Sequence, residues 1–321
     1  MAKPKVAFYW NASCGGCEEA VVDLAEDILK VVDAVDIVLW PVAMDFKKKD
    51  VLALEDGELA VAFLNGAVRT SEQEEWSRLL RKKAGLIVAF GACANLGGIP
   101  GLANFYDRDS IVDLVYKKQW GVDNPNGVEP QPKTKVPEGE LELPTLYDTV
   151  YPLDQVIDVD YYLPGCSPPP NLIMDAVLAI LSGDLPPKGT VLAPTKSLCD
   201  ECARNDSKPD KIKITDLKRP HEVIADPEKC FLAEGIICMG PATRAGCGER
   251  CINANMPCRG CFGPTDDVKD QGAKFLSALG SIIDTKDSDE MERIAESIPD
   301  PAGLFYMYSL ASSLLRRKKI Q

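Results

Sequence analysis

Short apolar runs alternate, through the first half of the chain, with segments whose apolar positions recur at helical spacing. Residues 6–10 are a brief apolar and aromatic run of strand type. Over residues 18–32 the period changes, and Val21, Leu24, Ile28, Val31 and Val32 share one helical face. Residues 37–40 and 59–64 predict a second and a third strand. Ser71 and Glu74 have the spacing of a capping box, which predicts a helix running to Lys83. Residues 85–90 and 156–163 predict two further strands, and residues 170–182 a helix with proline in its first turn, where a missing N–H is harmless. Strands that are apolar nearly throughout are buried on both faces. Alternating with helices, they predict an α/β fold, a flavodoxin-like doubly wound parallel sheet.

After Ser182 the pattern loosens. The segment "GDLPPKGTVLAPTK" is a proline-rich connector, which predicts a boundary near residue 190 and two domains, 1–190 and 191–321. The second is cysteine-rich and reads as mostly irregular and helical. Residues 268–283 and 290–298 predict helices. "GLFYMYSLASSLLRRKKI" predicts an apolar terminal helix with a basic tip, favourable at a helix C-terminus. Residues 106–150 form an insertion carrying Pro125, Pro130, Pro132, Pro137 and Pro144, either a solvated loop or a partner-contacting one.

Composition narrows the function classes. The 321 residues are 45 % apolar, enough for a sizeable core, and suit two domains. A formal charge of −13 argues against nucleic acid or an anionic membrane as the main partner. The opening "MAKPKVAFYW" has no signal-peptide pattern, and the apolar stretches near residues 84–94 and 304–315 are too short to span a bilayer. A cytoplasmic protein without a membrane span is the expectation. In that compartment thiols stay reduced, so the twelve cysteines read as metal ligands or redox groups. The single histidine, His221, makes mixed Cys/His zinc sites implausible and is itself expected to be structural.

Four cysteines, Cys14, Cys17, Cys93 and Cys166, each fall just past the end of a predicted strand. Open α/β sheets build their sites at that edge. Gly15, Gly16, Gly91 and Gly165 allow close backbone approach there. A CGGC opening a helix also suits a thioredoxin-like redox pair, but that reading leaves Cys93 and Cys166 without a role. Structural zinc takes compact knuckles. A [4Fe–4S] cluster needs four thiolates and tolerates wide spacing, so it fits better. The other eight, Cys199, Cys202, Cys230, Cys238, Cys247, Cys251, Cys258 and Cys261, suit two more four-thiolate sites. Two zinc sites are the alternative there, and spacing alone leaves the pairing open. No phosphate-binding loop or Ser/His/Asp set is present. "GACANLGGIPG" lacks dinucleotide-fingerprint spacing and reads as a turn around Cys93.

The set C-x2-C-x-E, G-x-C and P-G-C-x-P, carried by Cys14, Cys17, Glu19, Cys93 and Cys166, resembles the electron-transferring small subunit of [NiFe] hydrogenases. "CFLAEGIICMGPATRAGC" and "MPCRGCFGP" extend the likeness over roughly residues 5 to 265. In style it is nearest to the F420-non-reducing, methyl-viologen-reducing group. The resemblance implies three [4Fe–4S] clusters: a proximal one on Cys14, Cys17, Cys93 and Cys166, a distal one on Cys199, Cys202, Cys230 and Cys238, and a medial one on Cys247, Cys251, Cys258 and Cys261. It also implies a separate large subunit holding the nickel–iron centre, so no hydrogen-activating residue is expected here. A further iron–sulfur subunit and a heterodisulfide-reductase-type complex are the implied partners.

The departures from that family pattern carry expectations of their own. Cys199 stands where many relatives have histidine. Cys251 supplies a fourth thiol where many have proline and a [3Fe–4S] cluster, which implies a lower medial potential. Asn65 replaces a frequent glutamate, whereas Glu19 matches the acidic position. Tyr9, Trp10, Tyr161 and Tyr162 flank the ligand loops and are expected to pack the core. The competing readings are a related relay without hydrogen chemistry, a zinc-stabilised interaction protein, and the related respiratory complex I subunit, whose adjacent cysteines this chain lacks.

Overall fold

The computed structural model describes residues 3–315. Among them nine strands occur: β1 (Lys5–Trp10), β2 (Asp36–Leu39), β3 (Leu59–Asn65), β4 (Val68–Thr70), β5 (Ala84–Phe90), β6 (Lys133–Val136), β7 (Gly139–Glu142), β8 (Leu146–Tyr151) and β9 (Tyr161–Leu163). Five form one parallel sheet in the order β2-β1-β3-β5-β9. Alternation along each strand splits the core in two. Val6, Phe8, Val61, Phe63, Val88 and Phe90 face one side, under helices Gly16–Val22, Ile28–Ala34 and Pro170–Ser182. Ala7, Ala62, Leu64, Ile87 and Ala89 face the other, with Leu80 of helix Ser71–Lys83 and Val51 of Lys48–Leu52. The chain leaves β1 toward β2 on one side, then returns past β1 to build β3, β5 and β9 on the other. That reversal puts a crevice at the carboxyl edge, the usual place for a site. The α/β parallel-sheet expectation holds.

Several local expectations need correction. Residues 18–32 are not one helix: Gly16–Val22 gives way to a 3-10 turn at Ala25–Asp27, and Ile28–Ala34 resumes. Ala25 has φ +52°. The acids Asp23, Glu26 and Asp27 fall at repelling i,i+3 and i,i+4 spacing, which opposes a continuous helix. Val21, Leu24 and Val31 remain buried, whereas Val32 is exposed. The cap of helix Ser71–Lys83 is Thr70, not Ser71. Thr70 Oγ1 accepts from Gln73 N at 3.3 Å, and Gln73 Oε1 accepts from Thr70 N at 3.1 Å. Ser71 and Glu74 are engaged elsewhere, by Thr145 N at 3.0 Å and Tyr147 Oη at 2.6 Å. The strand expected over 156–163 shrinks to Tyr161–Leu163. Asp160 turns inward, and its Oδ2 accepts from Ile87 N at 2.8 Å and Arg81 Nη1 at 2.5 Å. Val156 and Ile157 pack into the core below the edge.

The insertion is built rather than loose. Helix Arg108–Asp113 runs into a π turn at Leu114–Lys118, β6 and β7 form a hairpin, and β8 returns antiparallel to β4. The cysteine-rich part has its own core, with Phe231, Leu232, Ile236, Phe275, Leu279, Phe305 and Leu310. Its connections are mostly 3-10 turns. Helix Gln271–Ile282 starts later than expected because Asp270 caps it, its Oδ1 accepting from Ala273 N at 2.9 Å. Helix Ser288–Glu296 starts earlier, capped by Asp287. The expected terminal helix is instead a short one, Pro301–Phe305, followed by a 3-10 turn at Leu310–Ser312. Pro299 and Pro301 confine the helix start, and the basic tip, residues 316–320, lies outside the described residues. Among the described residues no helix is long and apolar enough to cross a membrane.

Candidate functional site

Cys14 and Cys17 follow β1, Cys93 follows β5 and Cys166 follows β9. Backbone bonds tie these loops edge to edge. Gly91 N donates to Leu163 O at 2.8 Å and Ala92 N to Gly165 O at 2.7 Å. The four thiols converge. Burial pushes Cys17 strongly up, and the Cys93, Cys166 and Cys14 thiols push it further as like charges. Cys93 is pushed up to about 12, by burial first and then by Cys166 and Cys14. Cys166 is raised by burial and by Cys14. All are free thiols. A thioredoxin-like pair uses two thiols alone, whereas Cys17 here is gathered with Cys93 and Cys166 as well as Cys14.

The backbone is drawn in close around these sulfurs. Gly91 has φ +85°, and a Cβ there would lie 2.3 Å from Cys17 Sγ. At Gly98 it would lie 2.5 Å from Cys93 Sγ.

A second set lines a cavity of about 360 Å³: Cys199, Cys202, Cys230 and Cys238, with Leu198 and Phe231 among the walls. Three short 3-10 turns, Leu198–Asp200, Ala203–Ser207 and Phe231–Glu234, present the first three of these thiols. Cys199 is pushed up to about 12 by burial, then by Cys238, Cys230 and Cys202. Cys238 is pushed up to about 11 by burial, against the N–H groups of Gly240 and Cys258. A Cβ at Gly240 would come within 3.1 Å of Cys199 Sγ. Buried Arg204 braces this set, its guanidinium 4.1 Å from the Phe231 ring centre and bonded to Asp226 O at 3.0 Å.

The third set lies between the other two. Cys261 is pushed up to about 12 by burial; the Cys166 N–H opposes this, and the Cys166, Cys251 and Cys247 thiols add to it. Cys258 is raised by burial and then by Cys238. Cys258 N donates to Cys238 Sγ at 3.3 Å. Cys261 thus touches the first set, and Cys258 the second.

Four thiols gathered in one place repel one another once ionised, unless a cationic group compensates. Among the described residues, no three Cys, His, Asp or Glu side chains are gathered tightly enough to hold a single metal ion. Tetrahedral zinc would require sulfurs about 3.8 Å apart, given a Zn–S bond of about 2.3 Å. In a polynuclear group each thiolate meets a different metal atom, so such a group accepts four thiols delivered by separate loops. The donor set and the glycine-lined cradles fit such a group.

One residue at the first site was not legible as functional. Glu18, 1 % exposed, accepts hydrogen bonds from Trp40 Nε1 and Asn65 Nδ2. Asn65 Oδ1 accepts from Ser13 Oγ at 2.7 Å. Burial raises the Glu18 carboxyl, and its two donors pull it back. Glu19, which the family pattern singles out, is exposed. Glu18 thus places a buried carboxyl group beside Asn65. The available signal was its place three residues before Val21, on the apolar stripe. Tyr9 stacks on Trp76 at 4.7 Å and Tyr161 is buried, in line with core packing. Trp10 is 41 % exposed and covers Gly15. His221 is exposed and lines a cavity with Lys218 and Arg259 but no cysteine.

A family model described as "NADH ubiquinone oxidoreductase, 20 Kd subunit" matches residues 14–180. The chain is 40 % identical over 317 residues to the iron-sulfur subunit of the F420-non-reducing hydrogenase of Archaeoglobus profundus, covering 98 % of each. It is 35 % identical over 320 residues to a subunit of the F420-non-reducing hydrogenase of Methanothermobacter thermautotrophicus, covering 98 % of this chain and 97 % of that one. A [NiFeSe] hydrogenase structure from Desulfovibrio vulgaris Hildenborough, 18 % identical with a TM-score of 0.52, shares the fold over 82 % of this chain and 94 % of its own. A parallel sheet of this kind with thiols at its carboxyl edge, in this family, defines an electron-transfer subunit of an oxidoreductase. The chain belongs to the [NiFe] hydrogenase small subunits, alongside those of the F420-non-reducing hydrogenases.

Proposed function

We propose that this chain relays electrons through three [4Fe–4S] seats between a hydrogenase large subunit and an external acceptor. Cys14, Cys17, Cys93 and Cys166 would hold the proximal cluster, Cys247, Cys251, Cys258 and Cys261 the medial one, and Cys199, Cys202, Cys230 and Cys238 the distal one. The observation that carries the reading is the order of contact: Cys166 meets Cys261, and Cys258 meets Cys238. A file of three thiol sets suits a relay; isolated structural metal sites need no such order. When bound, such clusters supply one-electron chemistry at each seat. The residues of the chain hold the thiols, exclude water and point N–H groups at sulfur, which tunes potential.

The division near residue 190 gives the first seat to the parallel sheet and the other two to the cysteine-rich part. The large subunit is the natural cover for Cys14 and Cys166, which are exposed. A further iron–sulfur subunit and a heterodisulfide-reductase-type complex, in the cytoplasm, are the proposed acceptor side.

The test is anaerobic purification of the complex with its partners, metal counting and redox titration. About 12 iron atoms per chain, a brown colour and three reducible centres are expected. Hydrogen-driven reduction separates a hydrogenase from a relay that lacks hydrogen chemistry. A colourless chain with about three zinc ions overturns the proposal.

A further inference from the structure

The final described segment, residues 305–314, spans the junction of the first and third thiol sets. On one side it grips the Cys93 loop. Gly98 N donates to Tyr308 O at 3.0 Å, and Gln155 Nε2 donates to Ala311 O at 3.1 Å. Ala311 Cβ fills the space a side chain would need at Gly97 and Gly101, where an added Cβ would come to 2.4 and 3.2 Å. On the other side the segment grips the cysteine-rich part. Phe305 packs on Phe275 with ring centres 5.3 Å apart. The Tyr306 ring occupies the space over Gly272, and Leu314 N donates to Asp270 Oδ2 at 3.0 Å. Between these grips, the half-buried Tyr308 lies within electrostatic reach of Cys166, Cys261, Cys251 and Arg259.

We propose that this segment is a strap that fixes the separation of the proximal and medial seats, with Tyr308 as the positioning residue at their junction. The inference rests on the relay reading. It adds a residue that is neither a ligand nor a neighbour of one in sequence. Two features argue for positioning rather than simple packing. The strap touches both parts through directional backbone bonds, not only apolar contact. Its fit over Gly97 and Gly101 also leaves no room for sliding, since close-packed contacts are bistable rather than continuously deformable.

The test uses the complete hydrogenase complex, with Tyr308→Ala removing the ring and Ala311→Leu wedging the strap off Gly97 and Gly101. The readouts are iron per chain, the magnetic splitting between neighbouring reduced centres, and amide exchange at Gly98. The expected result is an unchanged iron count, loss or narrowing of the proximal–medial splitting, and faster exchange at Gly98. Unchanged splitting and unchanged exchange in both variants, at full iron content, overturns the strap. If Ala311→Leu does not assemble, Tyr308→Ala and the conservative Tyr308→Phe decide it: the phenylalanine variant is expected to restore the splitting that alanine loses. Wild-type complex without iron would instead overturn the relay reading, and the exchange rate at Gly98 still reports on the strap.

Discussion

Gly91→Ala is the sharpest probe of the first thiol set. Gly91 sits at φ +85°, ψ 168°, a region that glycine alone enters readily, and forcing alanine there costs about 1–3 kcal/mol. The new methyl carbon would also lie 2.3 Å from Cys17 Sγ, whereas ordinary contact begins at 3.4 Å. The thiol must therefore retreat by about 1.1 Å, while a metal–ligand distance tolerates about 0.2 Å. Overpacking adds about 1–3 kcal/mol. The sum, about 2–6 kcal/mol, is a large part of the 5–15 kcal/mol of a typical domain. Gly57→Ala is the control, because Gly57 has φ +77° with nothing within 4 Å of an added Cβ. It carries backbone strain without touching a thiol, about 1–2 kcal/mol. Iron analysis of the anaerobic complex, beside urea unfolding, is the assay. Gly57→Ala is expected to keep about 12 iron atoms per chain and Gly91→Ala about 8. Equal iron content in the two variants would refute the reasoning that the Gly91 backbone cradles Cys17.

Three further outcomes are expected. Glu18→Ala leaves Trp40 Nε1 and Asn65 Nδ2 buried without their shared acceptor, at about 1–3 kcal/mol for each donor; a urea midpoint within error of wild type would remove the network from the stability account. Burial pushes the Asp160 carboxyl up, but Lys188, Arg81 and the Ile87 N–H outweigh it and hold the group below the usual carboxylate range. Because the folded-state value is lowered, this stability is present above the unfolded value of about 3.9 and is lost as pH falls through the folded one. Asp160→Asn should therefore be destabilised by about 1.5–3 kcal/mol at pH 7 and converge on wild type in acid, as read by unfolding at several pH values. Cys251→Ser should lower iron by about one atom per chain and raise the potential of the medial centre; unchanged iron and potential would show that Cys251 is not a ligand.

The sheet was legible because parallel strands buried on both faces read as apolar runs, and 59–64 and 85–90 are nearly pure examples. The first four cysteines were legible for the same reason, since each follows such a run. The cap at Thr70 was not. Thr70/Gln73 and Ser71/Glu74 both have box spacing, and the choice falls to distant partners, Thr145 and Tyr147, that hold Ser71 and Glu74. Which acid is buried was not legible for a similar cause: Glu18 and Glu19 share the first helical turn, and only Trp40 and Asn65 distinguish them. The contacts of Cys166 with Cys261 and of Cys258 with Cys238 bring together residues far apart in the chain. No local period encodes them.

Cys258 contributes a thiol to one set while its own amide touches a sulfur of the next. The two sets therefore meet at the backbone of Cys258. Any lesion in the tight bend around it, whether oxidative, mutational or thermal, strikes both together. A perturbation there should show in both sets at once rather than in one alone.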